Sequence, residues 1–322
     1  MMWLAWRQHR KQALFTVIGL AVLAVVMVPT GLAIRGRFAD LGLADCVSQG
    51  SQTKDCGRAF NDFNSQYDTL LLTGILFLVL PLLVGLFWGA PLVAREVEQG
   101  THRFVWTQSV SRERWAVTKF GLVGAVTLAA AVGYGLGMAW WLDPLVAGGG
   151  RSRFDVLFFD MQGVAPIGYT LFAVALGVFA GTVWPRMLPA MAATLGGFAA
   201  VRIGLTAVLR PHYLPAREHT YPLVSAGGFD EGQLRGAWTL SDGIRDASGT
   251  MVMPGAQVNC PPGSKGPGGG PCGEEFGAGA YNWLLYQPAD RYWLFQGIET
   301  GIFVALAAIL LYLTIRRVRR IA

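Results

Sequence analysis

Six stretches of this chain, residues 13–34, 69–94, 120–142, 161–185, 187–209 and 292–315, are apolar and almost free of charge. A helix needs roughly 20 such residues to cross the hydrocarbon core of a bilayer, and each stretch is long enough. Only Arg202 and Glu299 interrupt them. In lipid every backbone N–H and C=O must be paired within its own element, so segments of this length are helices. The expected fold class is an all-α polytopic membrane protein with six transmembrane helices. The expected divisions are an interfacial helix at 1–12, spans one to five over 13–209 with an inside loop at 95–119, an insertion at 210–291 between spans five and six, and the last span with a basic tail at 292–322.

Composition agrees with a largely lipid-facing surface. The chain is 53% hydrophobic and 14% charged, with a mean hydropathy of +0.41, whereas soluble domains carry about 25% charged residues. Basic residues fall on alternate sides of the spans. With the N-terminus inside, the inside segments hold Arg7, Arg10, Lys11, Arg95, Arg103, Arg112, Arg114, Lys119, Arg186, Arg316, Arg317, Arg319 and Arg320, against the acids Glu96, Glu98 and Glu113. The positive-inside rule then puts both termini in the cytoplasm. This asymmetry accounts for the isoelectric point near 9.3, so no nucleic-acid partner is expected.

The cysteines agree with that orientation. Cys46, Cys56, Cys260 and Cys272 all fall in the two longest outside segments, where an oxidising exterior permits disulfides. Four cysteines allow three connectivities, and proximity favours Cys46–Cys56 with Cys260–Cys272. Free thiols are the alternative. Neither pair has tight CxxC spacing, and His9, His102, His212 and His219 have no ligand spacing, so no metal site is expected. The first apolar stretch is too long for the 7–15-residue core of a cleaved signal peptide.

Residues 1–12 mix Trp3 and Trp6 with Arg7, Arg10 and Lys11, as a helix lying in the headgroup layer would. Residues 35–68 read as a polar outside loop. Glycine pairs at i, i+4 (Gly85/Gly89, Gly133/Gly137, Gly177/Gly181) lie in spans two, three and four, where they would let helix backbones approach closely. Trp184-Pro185-Arg186 makes a tight inside turn. The 210–291 insertion contains a Gly/Pro-dominated stretch at 254–273, which favours loop over packed core. The apolar run Tyr281–Tyr286 is too short to span and would re-enter or lie on the interface.

The most information-dense segment is the inside loop with its flanks, GAPLVAREVEQGTHRFVWTQSVSRERW, residues 89–115. It reads as a short amphipathic helix parallel to the membrane, whose aromatic and Arg residues suit a docking surface; a plain solvated hairpin would explain the charges alone. This segment resembles the coupling-helix region in membrane subunits of type-2 ABC exporters, particularly those of actinobacteria. YQPADRYWLFQGIETGIF (286–303) and MWLAWRQHR near the N-terminus are similar to the same group. The resemblance implies a bacterial plasma-membrane subunit that pairs with a second membrane subunit, a homodimer being favoured. It also implies two copies of a P-loop ATPase that carry ATP and Mg²⁺, with no cofactor on this chain. Carried over, Arg95, Glu96, Glu98, Gly100, Thr101, Arg103, Trp106, Ser109 and Arg112 would lie on or beside the ATPase-docking element.

No GxxxxGK[ST] phosphate loop occurs in the chain, so ATP would be hydrolysed by another subunit and this chain would not itself be an enzyme. Arg202 lies seven residues before the outer end of span five and Glu299 seven residues after the outer start of span six. Each is therefore roughly 10 Å deep. Charges in the bilayer are costly and functional by default. The expectation is that the two pair, or line a path for a polar substrate group, and that reversing both charges restores what one reversal loses. A fixed clamp is the structural alternative. The implied function is export of an amphipathic compound (drug, antibiotic, peptide or lipid). One alternative is a sensor or resistance module that binds an extracellular antibiotic or lipid without moving it. A membrane-embedded enzyme would need converging catalytic groups, which spans with one Arg, one Glu and no His or Cys do not offer.

Overall fold

The computed structural model describes residues 2–48, 54–98, 112–148, 152–184, 186–224, 234, 236–266 and 270–320. In chain order, helix α1 is Met2–Asp40 and α2 is Leu43–Ser48; α3 is Lys54–Val84, followed through a π-helical turn at Gly85–Gly89 by α4, Ala90–Glu98. Next come α5 (Arg112–Gly148), α6 (Val156–Met161), α7 (Ala165–Val183) and α8 (Met187–Gly204). A second π turn, Leu205–Leu209, and a 3₁₀ turn, Arg210–His212, extend α8. Strands β1 (Arg217–Pro222), β2 (Trp238–Arg245), β3 (Met251–Pro254) and β4 (Tyr281–Gln287) precede α9, Tyr292–Arg320.

Among the described residues, six helical segments are long and apolar enough to cross a membrane: Val17–Asp40, Leu76–Arg95, Phe120–Gly148, Ala165–Val183, Met187–His212 and Ala289–Arg319. An even number of spans puts both termini on one face, called here the terminal face, and the β-strands on the opposite, insertion face. Residues 2–12 are helical and continuous with the first span, without a break at the expected boundary.

The bundle is organised around α7. Of its span 72% is buried within the chain, against 17% for the first and fifth spans. Two of the three glycine pairs explain how. A Cβ on Gly85 or Gly89 would lie 2.6 Å from the carbonyl oxygen of Ala173 or Val174. Conversely, one on Gly177 would lie 2.6 Å from Gly85 O, and one on Gly181 would lie 2.8 Å from Ala90 O. These backbones touch because nothing stands between them, which is how helices associate in lipid. The third pair does no such work: a Cβ on Gly133 meets nothing within 4 Å.

Residues 35–68 depart from the expected polar loop. Helix α1 continues to Asp40, Gly42 turns the chain at φ +62°, and α3 has begun by Lys54. Leu43 and Phe63 are fully buried, and Phe63 stacks edge-on against Phe38 (5.8 Å) and Tyr67 (5.0 Å). Apolar residues at helical spacing (Ala59, Phe60, Phe63, Tyr67) dock both helix ends against Trp141, Leu142 and Leu145. Polar neighbours hide that stripe in the sequence. Disulfide Cys46–Cys56 ties α2 to the first turn of α3, and Cys260–Cys272 closes the second pair.

The insertion corrects the all-α expectation. Its strands form one antiparallel sheet in the order β1-β4-β2-β3. The run Tyr281–Tyr286 neither re-enters nor lies flat: it is β4, paired on both sides, with Asn282, Trp283 and Leu284 buried. A short apolar run flanked by turns is what a buried strand looks like. The Gly/Pro stretch stays irregular, pinned by its disulfide and by a bridge between Val224 and Cys260. The sheet is seated on the bundle. Trp238 of β2 stacks on Phe154 at 5.8 Å, and Phe154 meets Tyr292 and Phe295 of α9 edge-on.

Candidate functional site

The insertion-face ends of the last three spans converge on a buried cluster of charges. Arg202 and Arg210 come from the end of α8, Asp160 from α6, Tyr169 from α7 and Glu299 from the second turn of α9. In an unbroken α-helix, residues eight apart point about 80° away from each other, at about 100° per residue. The π turn at Leu205–Leu209 inserts one extra residue between the two arginines, which leaves them about 20° apart. Both therefore face α9.

The pairing is dense. Arg202 Nη1 donates to Glu299 Oε1 at 2.9 Å and to Thr206 Oγ1 at 2.7 Å, and its Nη2 pairs with Asp160 Oδ2. Arg210 donates from Nε to Glu299 Oε2 (2.8 Å) and from Nη2 to both Glu299 Oε1 and Asp160 Oδ1 (2.7 Å each). Tyr169 donates to Glu299 Oε1 at 2.7 Å. The Arg202 guanidinium lies 4.0 Å over the Tyr169 ring and that of Arg210 4.1 Å over Phe159, geometry that adds cation–π attraction. Glu299 is 0% exposed, Arg210 1% and Arg202 13%. Two positive and two negative charges cancel, and both oxygens of each carboxylate are engaged. That is the condition under which ions survive removal from water. Just outside the span, Tyr213 reaches Glu299 at 3.4 Å. Burial pushes its phenol pKa up, and the Glu299 charge adds to the push.

Gln296, one turn before Glu299, holds the corner beneath the cluster. Its Oε1 accepts from Val164 N–H (3.1 Å) and Ala165 N–H (2.7 Å) at the start of α7, while its Nε2 donates to Phe159 O (2.8 Å). Gly163 sits against it in the left-handed region (φ +76°), where a Cβ would lie 2.8 Å from Gln296 Oε1. The Asp160 carboxylate is aimed by this corner.

Sequence reasoning placed Arg202 and Glu299 at equal depth, and the structure brings them together. It missed Asp160, Arg210, Tyr169 and Gln296. An acid inside the apolar run Phe158-Phe159-Asp160-Met161 was an available signal. No pattern in the sequence marks the π turn that recruits Arg210.

On the terminal face, α4 packs through Leu92 and Val93 against Phe120, Val123, Val174 and Val178, and through Ala90 and Ala94 against Ala180 and Ala190. Arg95 is exposed on α4, and Glu96 is helical. Glu98, the last residue of α4, accepts a hydrogen bond from the Met187 N–H at the start of α8 (3.2 Å). Arg112 opens α5. Gly100, Thr101, Arg103, Trp106 and Ser109 lie outside the described residues, so the expected docking helix does too. Among the described residues no group of His, Cys, Asp and Glu could hold a metal ion.

The family model described as ABC-2 membrane transporter related matches residues 17–210, more than half of the chain. The chain belongs to this family. It is an ABC-2 type permease, a membrane subunit whose family implies an ABC ATPase partner. The match runs from the first span to Arg210, so the sheet and α9, with Glu299, lie beyond it. Comparisons with curated proteins and with solved structures give no match.

Proposed function

We propose that this permease is the transmembrane subunit of an ATP-driven exporter that moves an amphipathic compound out of the cytoplasm or the inner leaflet. It works as one of two copies, with two ATPase subunits that carry ATP and Mg²⁺. Both termini and the 95–119 loop face the cytoplasm of a bacterial plasma membrane, and the sheet faces outside. The loop from Arg95 to Arg112, including Glu96, Gly100, Thr101, Arg103, Trp106 and Ser109, receives the ATPase.

One observation carries the coupling. Glu98, within the loop and last in α4, is bonded to the first turn of α8, and the far end of α8 carries Arg202 and Arg210. A displacement of the loop thus has a short mechanical route across the bilayer. A conformational change of this kind needs ligands that distinguish two states, and nucleotide closure of the ATPases would supply the difference.

Co-expression with a candidate ABC ATPase subunit tests the reading. The expected result is co-purification that is lost on Trp106→Ala, together with ATP-dependent uptake of an amphipathic dye by inverted vesicles. Failure of the ATPase to bind the intact chain would contradict the proposal. A sensor or resistance module is the second reading, favoured by the sheet that is clamped on the outer face through Trp238 and Phe154. In that case ATP would be hydrolysed without net movement of the dye.

A further inference from the structure

A cavity of about 190 Å³ lies between α1, α3, α5 and α7, within the membrane-spanning part and apart from the charge cluster. Its walls are almost wholly apolar, from Leu23, Leu80 and Trp88 among others, and its rim carries Gly19, which is exposed on α1. It therefore opens sideways from the bundle. An apolar cavity of about 150 Å³ stays dry and takes a benzene-sized molecule, so this one has room for somewhat more.

Three hydroxyls stand on its wall. Tyr134 donates to Phe77 O (3.0 Å) and Thr170 to Pro166 O (2.7 Å). Thr127 Oγ1 has no hydrogen-bond partner among the described residues, although Thr127 is 1% exposed. This is unusual within the molecule. Thr30, Thr170, Thr194, Thr300 and Thr314 all bond back to the carbonyl four residues earlier at 2.7–2.8 Å, the ordinary way a helical threonine is satisfied. An orphaned buried hydroxyl costs free energy. Of the three, Thr127 is the one whose hydroxyl hydrogen has no acceptor among the described residues.

We propose that this cavity is a binding site for a compact apolar group that carries one hydrogen-bonding oxygen, a carbonyl or an ether, which accepts from the Thr127 hydroxyl. The group enters from the bilayer past Gly19 and packs on Trp88 and Leu80. Binding is independent of transport and holds whether the complex exports or only senses.

Benzophenone, which has two rings, one carbonyl oxygen and intrinsic photoreactivity, is the probe. Full-length protein in bilayer nanodiscs is photolabelled and the adducts are mapped by peptide mass spectrometry. Diphenylmethane, the same rings without the oxygen, serves as competitor. The expected result is saturable labelling on α1, α3 and α5 residues of the cavity wall. Gly19→Phe, at a position where a Cβ meets nothing within 4 Å, fills the mouth and abolishes that labelling. Thr127→Val weakens benzophenone by about fivefold to tenfold, the worth of one hydrogen bond. It leaves competition by diphenylmethane unchanged, and Thr127→Ser retains the wild-type affinity. Labelling that never saturates, or spreads evenly over the exposed span surfaces, overturns the site. An equal loss for both compounds in Thr127→Val, or no loss for either, overturns the assigned hydrogen bond.

Discussion

The two ends of α8 are held in opposite ways. At the insertion face Arg202 and Arg210 make four ion pairs with Asp160 and Glu299, closed in by aromatic rings. At the terminal face, among the described residues, the Met187 N–H bonds Glu98 of α4 and the small side chain of Ala190 packs on Ala90 and Ala94, with no ion pair. The first arrangement is costly to disturb, since each ion released would be left buried without a partner. The hydrogen bond of the second can break and re-form at a cost of about 1 kcal/mol. A rod locked by buried ions at one end and held through small apolar residues and a hydrogen bond at the other suits a part that is moved from that lighter end.

The largest expected effect comes from removing the more deeply buried of the two ions that touch both acids. Arg210→Met leaves Glu299 and Asp160 short of their buried partner and should cost about 3–5 kcal/mol, seen as a large drop in melting temperature in detergent. Adding Glu299→Gln to it should recover part of the loss. A charge swap sharpens the picture. Two residues paired in isolation would be rescued by Arg202→Glu with Glu299→Arg, but Arg210 already occupies both Glu299 oxygens. The double variant restores the charge balance that Glu299→Arg alone upsets, three positive charges against one negative, and should therefore recover part of the loss without reaching wild type; full recovery would mean that Arg210 stands outside the cluster.

The glycine contacts come next. Gly177→Ala forces a methyl against Gly85 O and should cost about 1–3 kcal/mol as overpacking. Gly133→Ala, with open space around it, should leave the melting temperature unchanged or slightly raised. Among the destabilising substitutions the smallest effect belongs to Glu98→Ala, about 1 kcal/mol. If the light end is the driven one, the same substitution should still uncouple ATP hydrolysis from movement.

The spans were legible because length and apolarity suffice to define them in lipid. Arg202 and Glu299 were legible because a charge inside an apolar run stands out, and rise per residue places it in depth. The rest of the cluster was hidden by conventions about where a span ends. Asp160 and Arg210 sit one residue beyond the apolar runs drawn from hydropathy, and they join the cluster only through the α6–α7 corner and the π turn. The sheet was hidden by the Gly/Pro stretch at 254–273, whose turn chemistry outweighs one six-residue apolar run. Thr127 carries no signal in the sequence at all, because a threonine in a helix ordinarily satisfies itself.

The claim that α8 carries motion from the loop side to the charge cluster is tested most directly by distance. Spin labels at Val208, which is 63% exposed near the insertion end of α8, can be measured between the two copies proposed for the complex with its ATPase, with and without a non-hydrolysable ATP analogue. The account predicts a nucleotide-dependent change in that distance in the wild type and its loss in Glu98→Ala with the ATPase still bound. An unchanged distance in the wild type, or the same shift in Glu98→Ala, would contradict it.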